Sequence, residues 1–233
     1  MRYIHTPHYF TNLGWNSIMI KNNQNKTSLS HLLLLTIFCY TPVITLAGTV
    51  NLQNIAINEV FYQGNASEDW IELVNRGNEA VDISGWRWCA RFVYPTIQAS
   101  DILSGNADLI LEPGEIIALS ATIDLDDSAS DLGLYTSTPF SSAANMVDFT
   151  QWGTSMDIGR SDVARDKGIW LEIQPSVYDF VATSASNESL SWCGTESGGG
   201  FLTTSLDFVN ILPSQGVANN NLTCEIIFAN GFE

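Results

Sequence analysis

The apolar residues of this chain alternate with a period of two, and this constrains the fold more than any other feature. In "IAINEVFY" (55–62), Ile55, Ile57, Glu59 and Phe61 share one face, and Ala56, Asn58, Val60 and Tyr62 the other. In "DWIELVN" (69–75), Trp70, Glu72 and Val74 alternate with Ile71, Leu73 and Asn75. Successive side chains of a strand point to opposite faces, whereas a helix repeats every 3.6 residues. The runs "AVDI", "WRWCARF", "LIL", "EIIALSA", "MVDFTQW", "YDFVA" and "SLSWC" are of similar length, and clusters of Gly, Pro, Asn, Asp and Ser separate them. Many short alternating runs with turn signals predict an all-β sandwich or barrel. One stretch departs from the pattern: "SDVARDK" (161–167) reads as a helical turn, with Ser161 as N-cap and Gly168 as stop. Gly77 and Pro113-Gly114 mark turns between strands. Residues 94–108 and 122–146 read as two long loops, a kind of segment that is commonly functional.

The start of the chain predicts export. Residues 32–47, "LLLLTIFCYTPVITLA", are uncharged and apolar, Lys21 and Lys26 precede them, and Thr45 and Ala47 are small residues spaced for cleavage before Gly48. The run is shorter than the roughly 20 residues of a spanning helix. Residues 1–47 are therefore expected to be a signal peptide, with Met19 a natural start, and no membrane span is expected once it is removed. His5, His8 and His31 all lie in that leader. So do three of the nine basic residues, which leaves six against 25 acidic ones, a net charge of −19. Such a charge repels phosphate backbones and anionic lipid, so nucleic acid is not an expected partner.

"IAINEVFYQGNASEDWIELVNRGNEAVDISGW" (55–86) resembles the opening of lamin-tail-like domains. The matching blocks are Ile57 to Val60, Trp70 to Asn75 and Val81 to Trp86, with "LEPGEIIAL" (111–119) and "MVDFTQWG" (146–153) similar to later strands and "ILPSQGVANN" (211–220) to the exit. The resemblance implies an immunoglobulin-like β-sandwich over residues 48–213, with long loop insertions and one short helical turn. Residues 154–210 exceed a simple sandwich of roughly 100 residues, so extra strands are needed. Trp86 and Trp88 are expected to share a core face with Phe92. Glu59 and Glu72 recur in the family; here they fall on apolar faces and are read as acceptors for strand-end amides.

Without histidine in the mature chain, Ser-His-Asp and Cys-His nucleophile arrangements are excluded, and so are His-based zinc sites. Carboxylate chemistry remains. The densest acidic cluster is "DLDDSASD", with Asp124, Asp126, Asp127 and Asp131. It is either a solvated loop or a candidate Ca²⁺ site of carboxylate oxygens, although its spacing is not that of an EF-hand. "GRSDVARDKG" mixes Arg160, Asp162, Arg165, Asp166 and Lys167 and reads as a surface ion-pair patch.

Three cysteines follow the leader. Cys89 and Cys193 each end a Trp-containing strand, one residue past Trp88 and Trp192, and are expected to pair across neighbouring strands in an oxidising compartment. A bridge from Cys193 to Cys224 is the alternative. Residues 214–223 read as a polar linker. The ending "CEIIFANGFE" (224–233) resembles a short tail on many exported Gram-negative bacterial proteins, through Cys224, Ile227, Phe228, Gly231, Phe232 and Glu233. That resemblance implies recognition by sorting or processing machinery; the alternative is a last edge strand. Together these features predict a non-catalytic, secreted or cell-surface binding or scaffold module with a protein or surface-glycan partner. The alternatives are a carboxylate-based hydrolase dependent on Ca²⁺ or Mg²⁺, or a calcium-binding adhesion module.

Overall fold

The computed structural model describes residues 54–194 and 203–219. These residues form an all-β fold with one α-helix. The larger sheet contains β1 (Ile55–Phe61), β2 (Trp70–Asn75), β5 (Ile102–Ser104), β7 (Ile116–Ser120), β12 (Ser189–Trp192) and β13 (Phe208–Ile211), in the order β13-β12-β1-β2-β7-β5. A second sheet runs β4-β8-β9, from β4 (Arg87–Cys89), β8 (Ser130–Tyr135) and β9 (Met146–Trp152). Two small pairs complete it: β3 (Val81–Asp82) with β6 (Ile110–Leu111), and β10 (Glu172–Gln174) with β11 (Val177–Tyr178). The named strand pairs are antiparallel.

The core lies where β1 meets β9. Ile57, Leu73, Ile71, Ile117 and Leu119 of the larger sheet are buried, as are Phe149 and Trp152 of the smaller. The Ile57 amide donates to Asp148 Oδ2 at 2.7 Å, and the Tyr62 and Trp152 rings stack with centroids 4.4 Å apart. The stack is reinforced by Trp152 Nε1, which donates to the Asp126 carbonyl at 2.9 Å.

A β-bulge in β1 changes the reading of its faces. Ile57 pairs with Leu73 but Glu59 pairs with Glu72, so Asn58 is the extra residue. Cross-strand partners share a face, and Leu73 and Glu72 are on opposite ones. Ile57 and Glu59 therefore part company: Ile57 faces the core, and Glu59 joins Glu72 on the outer face.

Two expected long loops carry structure of their own. β5 and a 3-10 turn (Ala99–Asp101) lie within 94–108, and all six residues of β8 within 122–146 are buried. Residues 154–210 supply α1 (Ser161–Lys167) and β10 to β13, the extra strands that its length demands. In α1 the N-cap is Arg160, and Gly168 ends the helix at φ 80°. Phe92 leaves the expected Trp86–Trp88 face and is exposed. Arg91 (φ 46°) and Phe92 (φ 68°) are both left-handed, and Ala90 and Val93 exchange both backbone bonds around them. This is the two-residue hairpin turn in which both central residues take positive φ.

Candidate functional site

Three turns meet around an open depression of about 810 Å³. Gly64, Asn65 and Ala66 form one wall, Ala90, Arg91 and Val93 a second, and Asp124 to Ser128 with Ser130 the third. The Arg91-Phe92 turn is costly for residues with side chains, by about 1–2 kcal/mol each. Asp131 holds it in place, because its Oδ1 accepts from the Arg91 amide at 2.8 Å while Oδ2 accepts from the Arg160 amide at 2.9 Å. The Asp131 carboxyl is fully buried, and burial pushes its pKa up to about 6 against the pull of those two amides. The Arg160 side chain donates to Tyr94 Oη at 2.6 Å and 3.0 Å and lies 5.0 Å from the Phe92 ring.

The four aspartates of the acidic stretch thus have separate fates. Asp126 Oδ1 accepts from the Ser128 amide, the Ser128 hydroxyl and the Ala129 amide, and Oδ2 pairs with Arg91 Nη1. The Ser128 hydroxyl is the largest influence holding the Asp126 carboxyl below the usual carboxylate range. Asp124 and Asp127 are exposed on the wall of the depression. Asp131 points inward. Among the described residues no three His, Cys, Asp or Glu side chains are grouped to hold a metal ion. Beside them, sequence reasoning passed over Asp69, which is buried and accepts from the Leu125 amide at 2.8 Å. Burial first, with Asp124 and Asp127 adding to it, pushes Asp69 up to about 6. Its signal was slight: an acid directly before the strand "WIELVN".

A second polar centre lies on the outer face of the larger sheet. Glu59 and Glu72 sit opposite each other on β1 and β2 and are fully buried. Asn58 Nδ2 donates to Glu72 Oε1 at 2.6 Å, and the Gly216 amide to Glu72 Oε2 at 2.6 Å. Glu59 accepts from the Ser189 hydroxyl, from the Ser214 amide at 2.9 Å and from the Ser214 hydroxyl at 2.7 Å. Both glutamates are therefore acceptors of backbone amides, as expected, but the amides come from residues 214–216. This corrects the reading of 214–223 as a linker over its first part. Asn219 Nδ2 also donates to the Asn58 carbonyl at 2.9 Å and the Trp192 carbonyl at 3.1 Å. A polar sequence is held against the sheet because buried carboxylates need donors.

The expected Cys89–Cys193 bridge does not form. Cys89 is a free, buried thiol in the β4-β8-β9 sheet, whereas Cys193 follows β12 in the larger sheet. The shared feature of following a tryptophan did not report shared sheets. Burial first, with Asp131 nearby, pushes the Cys89 thiol up to about 12, far from a reactive thiolate. The charged cluster around α1 is a surface patch: Arg165 pairs with Asp166 at 2.7 Å and Glu172 at 3.4 Å. Residues 1–47, and the tail residues Cys224, Ile227, Phe228, Gly231, Phe232 and Glu233, lie outside the described residues. Among the described residues no helix is long and apolar enough to cross a membrane. Comparison with known protein families, with curated proteins and with solved structures finds no match to this chain.

Proposed function

We propose that the chain is a non-catalytic, exported binding module of lamin-tail-like type, and that the depression between the 64–66, 90–93 and 124–130 turns is its binding surface. The depression itself is the observation that carries this reading. Its volume lies within the roughly 300–1,000 Å³ of ligand sites. One wall is a strained turn, a feature that concentrates at ligand clamps and persists only where surrounding structure fixes it. Here Asp131 and Asp126 do the fixing, so these carboxylates act as internal acceptors instead of as an acid and a base. The Arg91 guanidinium and the exposed Asp124 and Asp127 leave a mixed-charge rim suited to a polar partner, a protein or a surface glycan. The leader supports export, and the tail supports handling by sorting or processing machinery.

The test is capture from the native envelope by immobilised protein, with Arg91→Gln as the paired control. A partner retained by the wild type and lost by the variant at unchanged melting temperature supports the reading. Hydrolytic activity abolished by Asp126→Asn or Glu72→Gln in a folded protein would replace it with the hydrolase alternative. Melting with millimolar Ca²⁺ against chelator separates the calcium-dependent alternative, because a ligand at 100 times its Kd stabilises by about 2.7 kcal/mol. N-terminal sequencing should find Gly48 first. Deleting 224–233 should alter location or C-terminal mass.

A further inference from the structure

We propose that residues 212–219 form a proton-dependent latch on the outer face of the larger sheet, seated while Glu59 and Glu72 carry one negative charge between them and loosened when both ionise. The strap runs from the end of β13 across β12, β1 and β2 toward β5. Ser214 binds Glu59 and Gly216 binds Glu72. A Cβ at Gly216, whose φ is 78°, would stand 2.0 Å from Ser104 Oγ. The strap therefore seats closely, but apolar burial does not hold it. Its two large apolar side chains, Leu212 and Val217, are 67% and 57% exposed. Hydrogen bonds to the two carboxylates and those of Asn219 fasten it.

Two carboxylates in register on adjacent strands, both buried, do not readily ionise together. Among the described residues no basic side chain pairs with them. β12 presents Ser189 and Ser191 to this face, β7 presents Ala118, and β5 presents Ser104. The segment 212–219 contains no titratable side chain. Among the described residues the one charge acting on Glu72 is that of Glu59. Among the described residues the donors are unequal: Glu59 has the Ser189 hydroxyl and both Ser214 groups, and Glu72 has Asn58 and Gly216. Glu72 has fewer donors to stabilise a charge, so it is the member of the pair that holds the proton. Burial, and Glu59 after it, push Glu72 up to about 7. Above that the proton passes to solvent, and the second charge is buried beside the first. Opening the strap lets water reach both.

Hydrogen exchange on the full chain tests this. After correction for intrinsic rates, protection of the Ser214 and Gly216 amides should fall at least about tenfold from pH 5.5 to pH 8.5, as expected for ionisation at least one unit above the carboxyl's pKa. The Leu73 and Ile117 amides should not follow. Glu72→Gln should hold the strap at both pH values, since its carbonyl keeps Gly216 and Asn58 can flip its amide to accept. Equal protection of the strap at both pH values in the wild type would overturn the latch. A carboxyl-carbon titration showing both glutamates ionised by pH 5 would overturn it too, and neither measurement needs the variant to fold.

Discussion

Residues 124–131 crowd four aspartates into eight positions, whereas Glu59 and Glu72 lie thirteen positions apart under the strap. The crowded stretch shows little collective electrostatics. Asp126 is capped and paired, Asp131 is buried alone among amides, and Asp124 and Asp127 face water. The distant pair is the concentrated site, because the β1 bulge turns both carboxylates to one face and the strap removes water from them. Charge matters where it is desolvated, not where it is dense in sequence.

The largest effect that tests this contrast is Asp131→Ala. It leaves the Arg91 and Arg160 amides without their acceptor inside the protein, at a cost of about 1–3 kcal/mol for each unsatisfied group. The strained 90–93 turn also loses its anchor. Urea unfolding should show a loss of about 3 kcal/mol, against less than about 0.5 kcal/mol for Asp124→Asn in the same stretch. Equal costs at the two positions would break the comparison.

The next effect is the pH profile. Glu72 holds its proton in the folded state to about pH 7, while its ordinary value is 4.5. Its contribution is therefore complete below pH 4.5 and is lost as pH rises through 7. Asp69 and Asp131, both pushed up to about 6 from 3.8, act in the same direction over a lower window. Stability should thus peak on the acid side and decline toward pH 8, with about 2 kcal/mol of the decline due to Glu72 after allowing for screening. Glu72→Gln should flatten the profile above pH 6 and make it shallower between pH 4.5 and 6, where Asp69 and Asp131 still act. A profile that rises from pH 5 to pH 8 would contradict both windows.

Alternation made β1, β2, β7, β9 and β12 legible, because each carries apolar residues at every second position. β8, "SDLGLY", escaped notice because Asp131 and Gly133 occupy the face where apolar residues are expected, though all six residues are buried. The Arg91-Phe92 turn lacks the Asn-Gly signature of its type, so "WRWCARF" read as one strand and Phe92 was assigned to the core. The bulge at Asn58 is silent for a similar reason: one inserted residue flips every later face without altering composition. Of the candidate site, Asp124, Asp126 and Asp127 were visible as a cluster. Arg91 and Asp69 were not, since their roles arise from turns that are remote in sequence.

A smaller effect separates the two sheets. Cys89→Ser places a hydroxyl in the buried space of the β4-β8-β9 sheet and should cost about 1–2 kcal/mol. Iodoacetamide should label the wild-type Cys89 only after unfolding, without any reductant. A peptide joining Cys89 to Cys193 under non-reducing digestion would overturn the separation.

A still smaller effect is expected of Asp126→Asn, and its sign distinguishes the acidic loop from the strap. The amide oxygen can still accept from Ser128 and Ala129, so the turn survives. What is lost is the ion pair with Arg91, whose side chains are 50% and 35% exposed. Exposed pairs contribute about 0.2–1 kcal/mol, so a loss near 0.5 kcal/mol is expected, and high salt should erase it by screening. Asp126 is held below the ordinary carboxylate value, chiefly by the Ser128 hydroxyl, so its contribution is present above pH 3.8 and disappears as pH falls through its lowered value. The wild type and variant should therefore differ at pH 6 and converge as the Asp126 carboxyl is protonated in acid, whereas wild type and Glu72→Gln should diverge with rising pH. If Asp126→Asn instead costs several kcal/mol at high salt, the loop owes its order to a buried charge, and the contrast between the two acidic regions fails.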